Sequence, residues 1–156
     1  RTLRSGGDVL IPTDTAGRAL ELLLLFEQTW RAERGLQRFP LLFTSHVPHA
    51  TVEFAKSHIE WMSDDVVNAF DSKRENAFEL RHARLCADAR EADAVRGPKV
   101  MLASFDDLES GVARALLPRI CAHNASLVLL TRRPREGSLA SQLLATPTPR
   151  TLSVSV

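Results

Sequence analysis

Short, unbroken apolar runs recur along the chain, separated by longer stretches whose apolar positions return every three or four residues. Runs of the first kind suit strands buried on both faces, and stretches of the second kind suit helices. The spacing predicts strands over 9–12, 41–44, 78–86, 100–104, 127–131 and 152–156. It predicts helices over 16–32, 50–62, 64–73, 108–121 and 138–144. This alternation implies an α/β fold, a Rossmann-like and mostly parallel sheet of about six strands with helices on both faces. The segment 90–98 reads as a charged, alanine-rich connection. Residues 146–150, with Pro147 and Pro149, read as a stiff extended linker before the last strand.

The first strand gives way to the first helix within a few residues. The turn 13–17 holds two N-cap candidates, Asp14 and Thr15, followed by Gly17 and Arg18. Such a junction puts backbone N–H groups and Arg18 at the carboxyl end of the strand, where parallel sheets bind their partners. At about 100° per residue, Ala19, Leu20, Leu23, Leu24, Phe26 and Trp30 share a broad face toward the sheet, with Leu22 and Leu25 on the other side. That pair is either covered by something beyond this chain or simply exposed. Glu27 lies inside the apolar arc. Burying a carboxylate is costly unless it is partnered. It is therefore expected either to pair with Arg31 one turn on, the simpler arrangement, or to cap backbone groups inside the domain.

In the next helix Val52, Ala55, Ile59 and Met62 form a core ridge. Phe54, His58 and Trp61 form a second ridge, expected to pack against 66–70, with a stacking surface for a nucleobase as the alternative. Ser63 stands where it can cap the helix over 64–73.

Composition narrows the picture. A length of 156 residues, 44% hydrophobic and 25% charged, fits one ordinary globular domain. Twenty basic and nineteen acidic side chains leave a formal charge of +1, so any basic surface is local rather than global. Two cysteines, Cys86 and Cys121, make no disulfide framework and read as reduced core thiols. No run approaches the ~20 apolar residues of a bilayer span, so no membrane partner is expected. The histidines His46, His49, His58, His82 and His123 form no HxH, HxHxDH or HExxH motif, so neither a metal site nor a catalytic residue is expected in this segment. His82 alternates with Leu80 and Arg84 as a partly exposed strand residue would.

What remains is a surface. Loops that follow parallel strands gather on one edge, here 13–18, 45–49, 104–107 and the run Arg132-Arg133-Pro134-Arg135. Those arginines, just ahead of a helix start at Gly137 and Ser138, are the best phosphate-binding candidate, with Arg18 and Arg114 as further members. Asp14, Asp106, Asp107 and Glu109 share the edge and oppose a nucleic-acid backbone. The arginines are therefore expected to pair with these carboxylates and join domains, with RNA contact as the alternative.

Gly6-Gly7-x-Val9-Leu10-Ile11-Pro12, Gly17-Arg18-x-x-Glu21-Leu22 and Trp30 resemble the start of a β-CASP domain, the module inserted into metallo-β-lactamase-fold nucleases that process RNA and DNA. Residues 52–64, 78–86, 99–104 and 137–140 follow in the family's order, so the resemblance covers nearly the whole chain. Thr13-Asp14-Thr15-Ala16, Glu60-Trp61-Met62-Ser63 and Asp107-Leu108-Glu109-Ser110-Gly111 resemble the non-catalytic subunit 2 family of the cleavage and polyadenylation specificity factor rather than its nuclease sister.

The resemblance implies that 1–156 is one β-CASP domain within a longer metallo-β-lactamase-fold protein. A start at Arg1 rather than Met and a strand-like end at 153–156 agree with a fragment. It implies a nuclear, structural, pseudo-nuclease module of the pre-mRNA 3′-end cleavage and polyadenylation complex, with no cofactor in this segment. Its implied partners are the flanking metallo-β-lactamase domain, the catalytic sister subunit, scaffold proteins and pre-mRNA. Two other readings stand beside this one. One is the β-CASP half of an active zinc-dependent endoribonuclease whose HxHxDH lies outside the segment. The other is a free-standing α/β domain that binds a phosphorylated ligand at 13–18.

Overall fold

The computed structural model describes residues 1–73 and 75–145. A 3-10 turn, Thr2–Ser5, leads into β1 (Val9–Thr13), α1 (Gly17–Ala32), β2 (Leu41–Thr44), α2 (Pro48–Ser57) and α3 (Asp64–Lys73). Then follow β3 (Ala83–Cys86), α4 (Ala89–Ala94), β4 (Val100–Ser104), α5 (Gly111–Cys121), β5 (Leu127–Val128) and α6 (Leu139–Leu143). The five strands pair in parallel in the order β3-β2-β4-β1-β5. The expected α/β class with a parallel sheet holds. The sixth strand, expected over 152–156, and the linker over 146–150 lie outside the described residues.

The period of two along each strand sorts the core into two halves. Ile11, Leu41, Phe43, Val100 and Leu102 pack with α1 and α2 through Ala19, Leu23, Trp30, Val52 and Ala55. Their neighbours Leu10, Leu42, Met101 and Ala103 pack with α4, α5 and α6 through Ala92, Val112, Leu116, Leu117 and Leu139. Both faces are covered, which is why the strands read as continuous apolar runs. The helix between β1 and β2 and the one following β2 lie on one face, while those following β3 and β4 lie on the other. The central strand β4 therefore exits toward one face and its neighbours β1 and β2 toward the opposite one, so a topological switch opens at the carboxyl edge.

Several boundaries depart from the sequence reading, each for a local reason. The strand expected over 78–86 shrinks to Ala83–Cys86. The amides of Arg81, His82 and Ala83 donate to the Glu27 carboxylate at 3.2, 2.9 and 2.5 Å, so Arg81 and His82 stay out of the sheet and the ladder begins at Ala83, opposite Leu41. Phe78 plugs the core from a turn instead, and His82 precedes the strand rather than belonging to it. Glu27 is thus a backbone cap, not the partner of Arg31, which faces Glu75 at 3.8 Å.

The strand expected over 127–131 pairs only at Leu127–Val128. The supposed connection over 90–98 holds α4, whose start is a capping box: Asp88 accepts from the Glu91 amide at 2.8 Å and Glu91 accepts from the Ala87 amide at 2.8 Å. Helix α5 starts at Gly111 rather than at Leu108, which sits at φ 62 with a fully buried side chain. Gly111 itself has φ 76, and a Cβ there would lie 2.6 Å from the Ser104 carbonyl oxygen. The helix expected over 50–62 starts earlier, at Pro48, and breaks after Ser57 into a 3-10 turn.

The α1 face holds, with Ala19, Leu23 and Trp30 buried. Of the two leucines assigned to its other side, Leu22 packs against the core and Leu25 stays 55% exposed.

Candidate functional site

The expected gathering of loops at the carboxyl edge is split in two by the exit of β4. On one side lies a cleft of about 270 Å³, lined by the β1–α1 turn with Asp14, Gly17 and Arg18, and by Asp106, Thr131 and Arg132. It continues into a groove along Asp107, Arg133 and Arg135. On the other side, the 45–49 loop sends His46 to a separate groove with Asp88, Arg90 and Gly111. Residues 45–49 therefore do not share the arginine cleft.

Asp14 dominates the first junction. Its two carboxylate oxygens accept from the amides of Arg18 and Ala19, each at 2.9 Å, so it caps α1 from outside the helix. A Cβ on Gly17 would approach Asp14 Oδ2 to 3.0 Å, so a larger residue there would have to displace the capping carboxylate by a few tenths of an ångström. Thr15, the other cap candidate, makes no such bond among the described residues. Arg18 faces Glu21 at 3.9 Å.

The arginine run is met by acids from the β4–α5 loop. Arg132 pairs with Asp106, and Arg135 reaches Asp107 at 3.2 Å. Arg133 makes no ion pair among the described residues. Glu109 Oε1 accepts from the Leu139 amide at 2.5 Å, and the Asp107 carbonyl accepts from the Ala140 amide at 3.1 Å. Ser138 caps α6 by accepting from Ser141 N at 3.2 Å, and its hydroxyl donates to the Arg135 carbonyl at 2.6 Å. The helix start at Gly137 and Ser138, expected to receive phosphate, is filled by a carboxylate of the chain itself. Arg114 does not reach the cleft. It donates to the Leu108 carbonyl at 3.2 Å and faces Glu109 at 3.9 Å, behind the loop.

This arginine cleft is therefore zwitterionic and, apart from Arg133, internally matched. The starts of α1 and α6, which border it, each hold a carboxylate, and Arg18, Arg132 and Arg135 each face one. Beneath the carboxyl edge lie the buried hydroxyls of Thr13, Thr44 and Ser104, at the ends of β1, β2 and β4, without a hydrogen-bond partner among the described residues. His46 and His49 are exposed. Among the described residues, no group of three His, Cys, Asp or Glu side chains is placed to hold a metal ion. Among them too, no helix is long and apolar enough to cross a membrane.

Two further expectations resolve differently. Phe54 and Trp61, expected to pack against 66–70, stand 61% and 75% exposed. His58 stacks on Phe54 at 4.1 Å and meets Trp61 edge-on at 4.9 Å. Cys86 is a core thiol, whereas Cys121 is exposed rather than buried in the core. Burial pushes the Cys86 thiol above its ordinary pKa, with Arg84 working against this and Glu91 and Asp88 adding to it, and desolvation raises Cys121 as well.

One group of residues escaped the sequence reading. Arg4, Arg38 and Arg96, far apart in the chain, converge at the opposite edge of the sheet on a groove of about 400 Å³. Each is exposed, and none has an ion pair among the described residues. No periodicity or motif links them, and only the parallel register of β1, β2 and β4 brings their approaches together.

The Beta-Casp domain family matches residues 19–143. The chain is 43% identical over 155 residues to cleavage and polyadenylation specificity factor subunit 2 of Arabidopsis thaliana, covering 99% of this chain and 21% of that protein. It is 37% identical over 147 residues to cleavage factor two protein 2 of Schizosaccharomyces pombe, covering 92% and 18%. It is 32% identical over 146 residues to endoribonuclease YSH1 of Yarrowia lipolytica, covering 94% and 18%. The chain thus spans about a fifth of the length of these relatives. A doubly covered parallel sheet and a family match across most of its elements lead to one conclusion: the chain belongs to the Beta-Casp family and, within it, is similar to cleavage and polyadenylation specificity factor subunit 2.

Proposed function

We propose that this chain is the β-CASP module of a nuclear subunit of the machinery that cleaves pre-mRNA 3′ ends before polyadenylation, and that its own role is structural. In this reading it completes a pseudo-nuclease fold with a flanking metallo-β-lactamase domain and supports a catalytic sister subunit. The observation that carries it is the arginine cleft of the carboxyl edge, neutralised from within at Arg18, Arg132 and Arg135 though not at Arg133. Asp14 and Glu109 occupy the starts of α1 and α6, and Asp106 and Asp107 hold Arg132 and Arg135. An edge that gripped RNA phosphates would need those donors and cations unengaged. Carboxylates already seated there suit a fixed joint between domains.

A second reading is favoured by the 32% identity to an endoribonuclease. In it the parent is an active zinc enzyme and this edge is half of its cleft. Zinc content and RNA cleavage, measured on the full-length parent and on its complex with the sister subunit, decide between them. The structural role predicts no stoichiometric zinc in the parent alone. It also predicts that Arg132→Ala with Arg135→Ala loosens the complex without changing its cleavage rate per assembled particle. Bound zinc together with cleavage by the parent alone would overturn it.

A further inference from the structure

We propose that the amino edge of the sheet, opposite the cleft described above, is a docking groove for a single-stranded RNA backbone, with Arg4, Arg38 and Arg96 binding its phosphates. The inference rests on the reading of the parent as a pre-mRNA processing subunit, which makes RNA the polyanion at hand.

The groove is formed where the chain enters three adjacent strands. Arg4 comes from the 3-10 turn before β1, Arg38 from the approach to β2, and Arg96 from the turn between α4 and β4. No acidic residue lines it. Of the acids near it in sequence, Asp93 pairs with Arg119, Glu33 is exposed but outside the lining, and Asp8 and Glu27 are turned inward. Asp8 accepts from the Lys99 amide at 3.1 Å and faces the buried Lys99 ammonium at 3.9 Å. Glu27 is spent on the three amides at the start of β3. Helix C-termini end at this edge, and a cation there is favoured by the helix dipole. That accounts for Arg31 in the last turn of α1. It does not account for three arginines from three connections meeting on one groove.

The chemistry of the groove favours nucleic acid over an acidic peptide. The Arg38 guanidinium lies over the Phe39 ring, 4.6 Å from its centroid, which fixes it as a flat cationic platform. A flat guanidinium offers its outer face to a stacked base while its N–H groups take phosphate. A carboxylate peptide uses the charge but not the platform.

The test is fluorescence anisotropy of a labelled single-stranded RNA 12-mer on the full-length parent across a range of salt. Its comparison ligand is a poly-glutamate peptide of equal charge. Replacing Arg4, Arg38 and Arg96 together by glutamine is expected to flatten the dependence of log affinity on log salt by about 2, at roughly 0.7 for each phosphate of a single strand that is no longer neutralised. Arg132→Gln with Arg135→Gln is expected to leave it unchanged. Arg38→Lys keeps the charge and loses the platform, so it is expected to weaken RNA binding while preserving the slope, and it guards against loss of folding in the triple variant. An unchanged slope in the triple variant overturns the inference and leaves the structural reading of the opposite edge standing. Loss of RNA binding on the Arg132 and Arg135 changes overturns both. Equal or tighter binding of poly-glutamate, insensitive to Arg38→Lys, reassigns the groove to an acidic protein segment and overturns RNA as its ligand.

Discussion

The two edges of the sheet carry similar numbers of arginines and dispose of their acids in opposite ways. At the carboxyl edge, Asp106 and Asp107 point outward and engage Arg132 and Arg135, Asp14 and Glu109 fill the starts of α1 and α6, and Arg133 has no ion pair among the described residues. At the amino edge, Asp8 and Glu27 point inward to backbone amides and the buried Lys99, leaving Arg4, Arg38 and Arg96 unmatched among the described residues. A formal charge of +1 for the whole chain says nothing of this contrast. The placement of a few carboxylates, not the number of arginines, decides where a local field survives.

The comparison can be broken most forcefully at Glu27. Glu27→Ala leaves three partly buried amides without their acceptor, at a cost of about 3–5 kcal/mol. Urea unfolding is expected to show the midpoint fall with an unchanged slope, and a drop under about 1 kcal/mol would mean that water replaces the carboxylate. At the carboxyl edge, Gly111→Ala forces a side chain into left-handed backbone against the Ser104 carbonyl. Its expected cost is about 1–3 kcal/mol by the same measurement. Asp14→Ala removes the cap of α1 for about 1 kcal/mol, while Asp14→Asn retains most of that stability.

The smallest stability effects belong to the surface pairs. Arg132 and Arg135 have side chains 63% and 72% exposed, so Arg132→Ala or Arg135→Ala is expected to cost under about 1 kcal/mol each. Their role in silencing the edge is sharper to read. Asp106→Asn with Asp107→Asn releases both arginines and is expected to raise retention on a heparin column. Unchanged retention would show that pairing is not what masks this edge.

Much of the architecture was legible from residue order. Apolar runs such as Leu41–Thr44 and Val100–Ser104 are buried on both faces, so they read as strands without reference to partners. The α1 face was legible because a period near 3.6 is a property of the helix alone. The cleft was legible in part: Arg132, Arg135, Asp106, Asp107 and Asp14 do meet, whereas Arg114 and the 45–49 loop do not. Helix α4 carried a readable signal, the Asp88–Glu91 capping box, that its charged composition obscured.

The sequence by itself determined the kinds of element, their order and the apolar stripes that bury them, because these follow from local propensity and period. Only the tertiary structure decided which carboxylate meets which cation. Glu27 was open to Arg31 at i,i+4 until the start of β3, some fifty residues on, brought three amides to it. Arg4, Arg38 and Arg96 share no pattern and meet only because β1, β2 and β4 begin side by side. Charges act through distance in space, and pairing of strands far apart in sequence sets that distance.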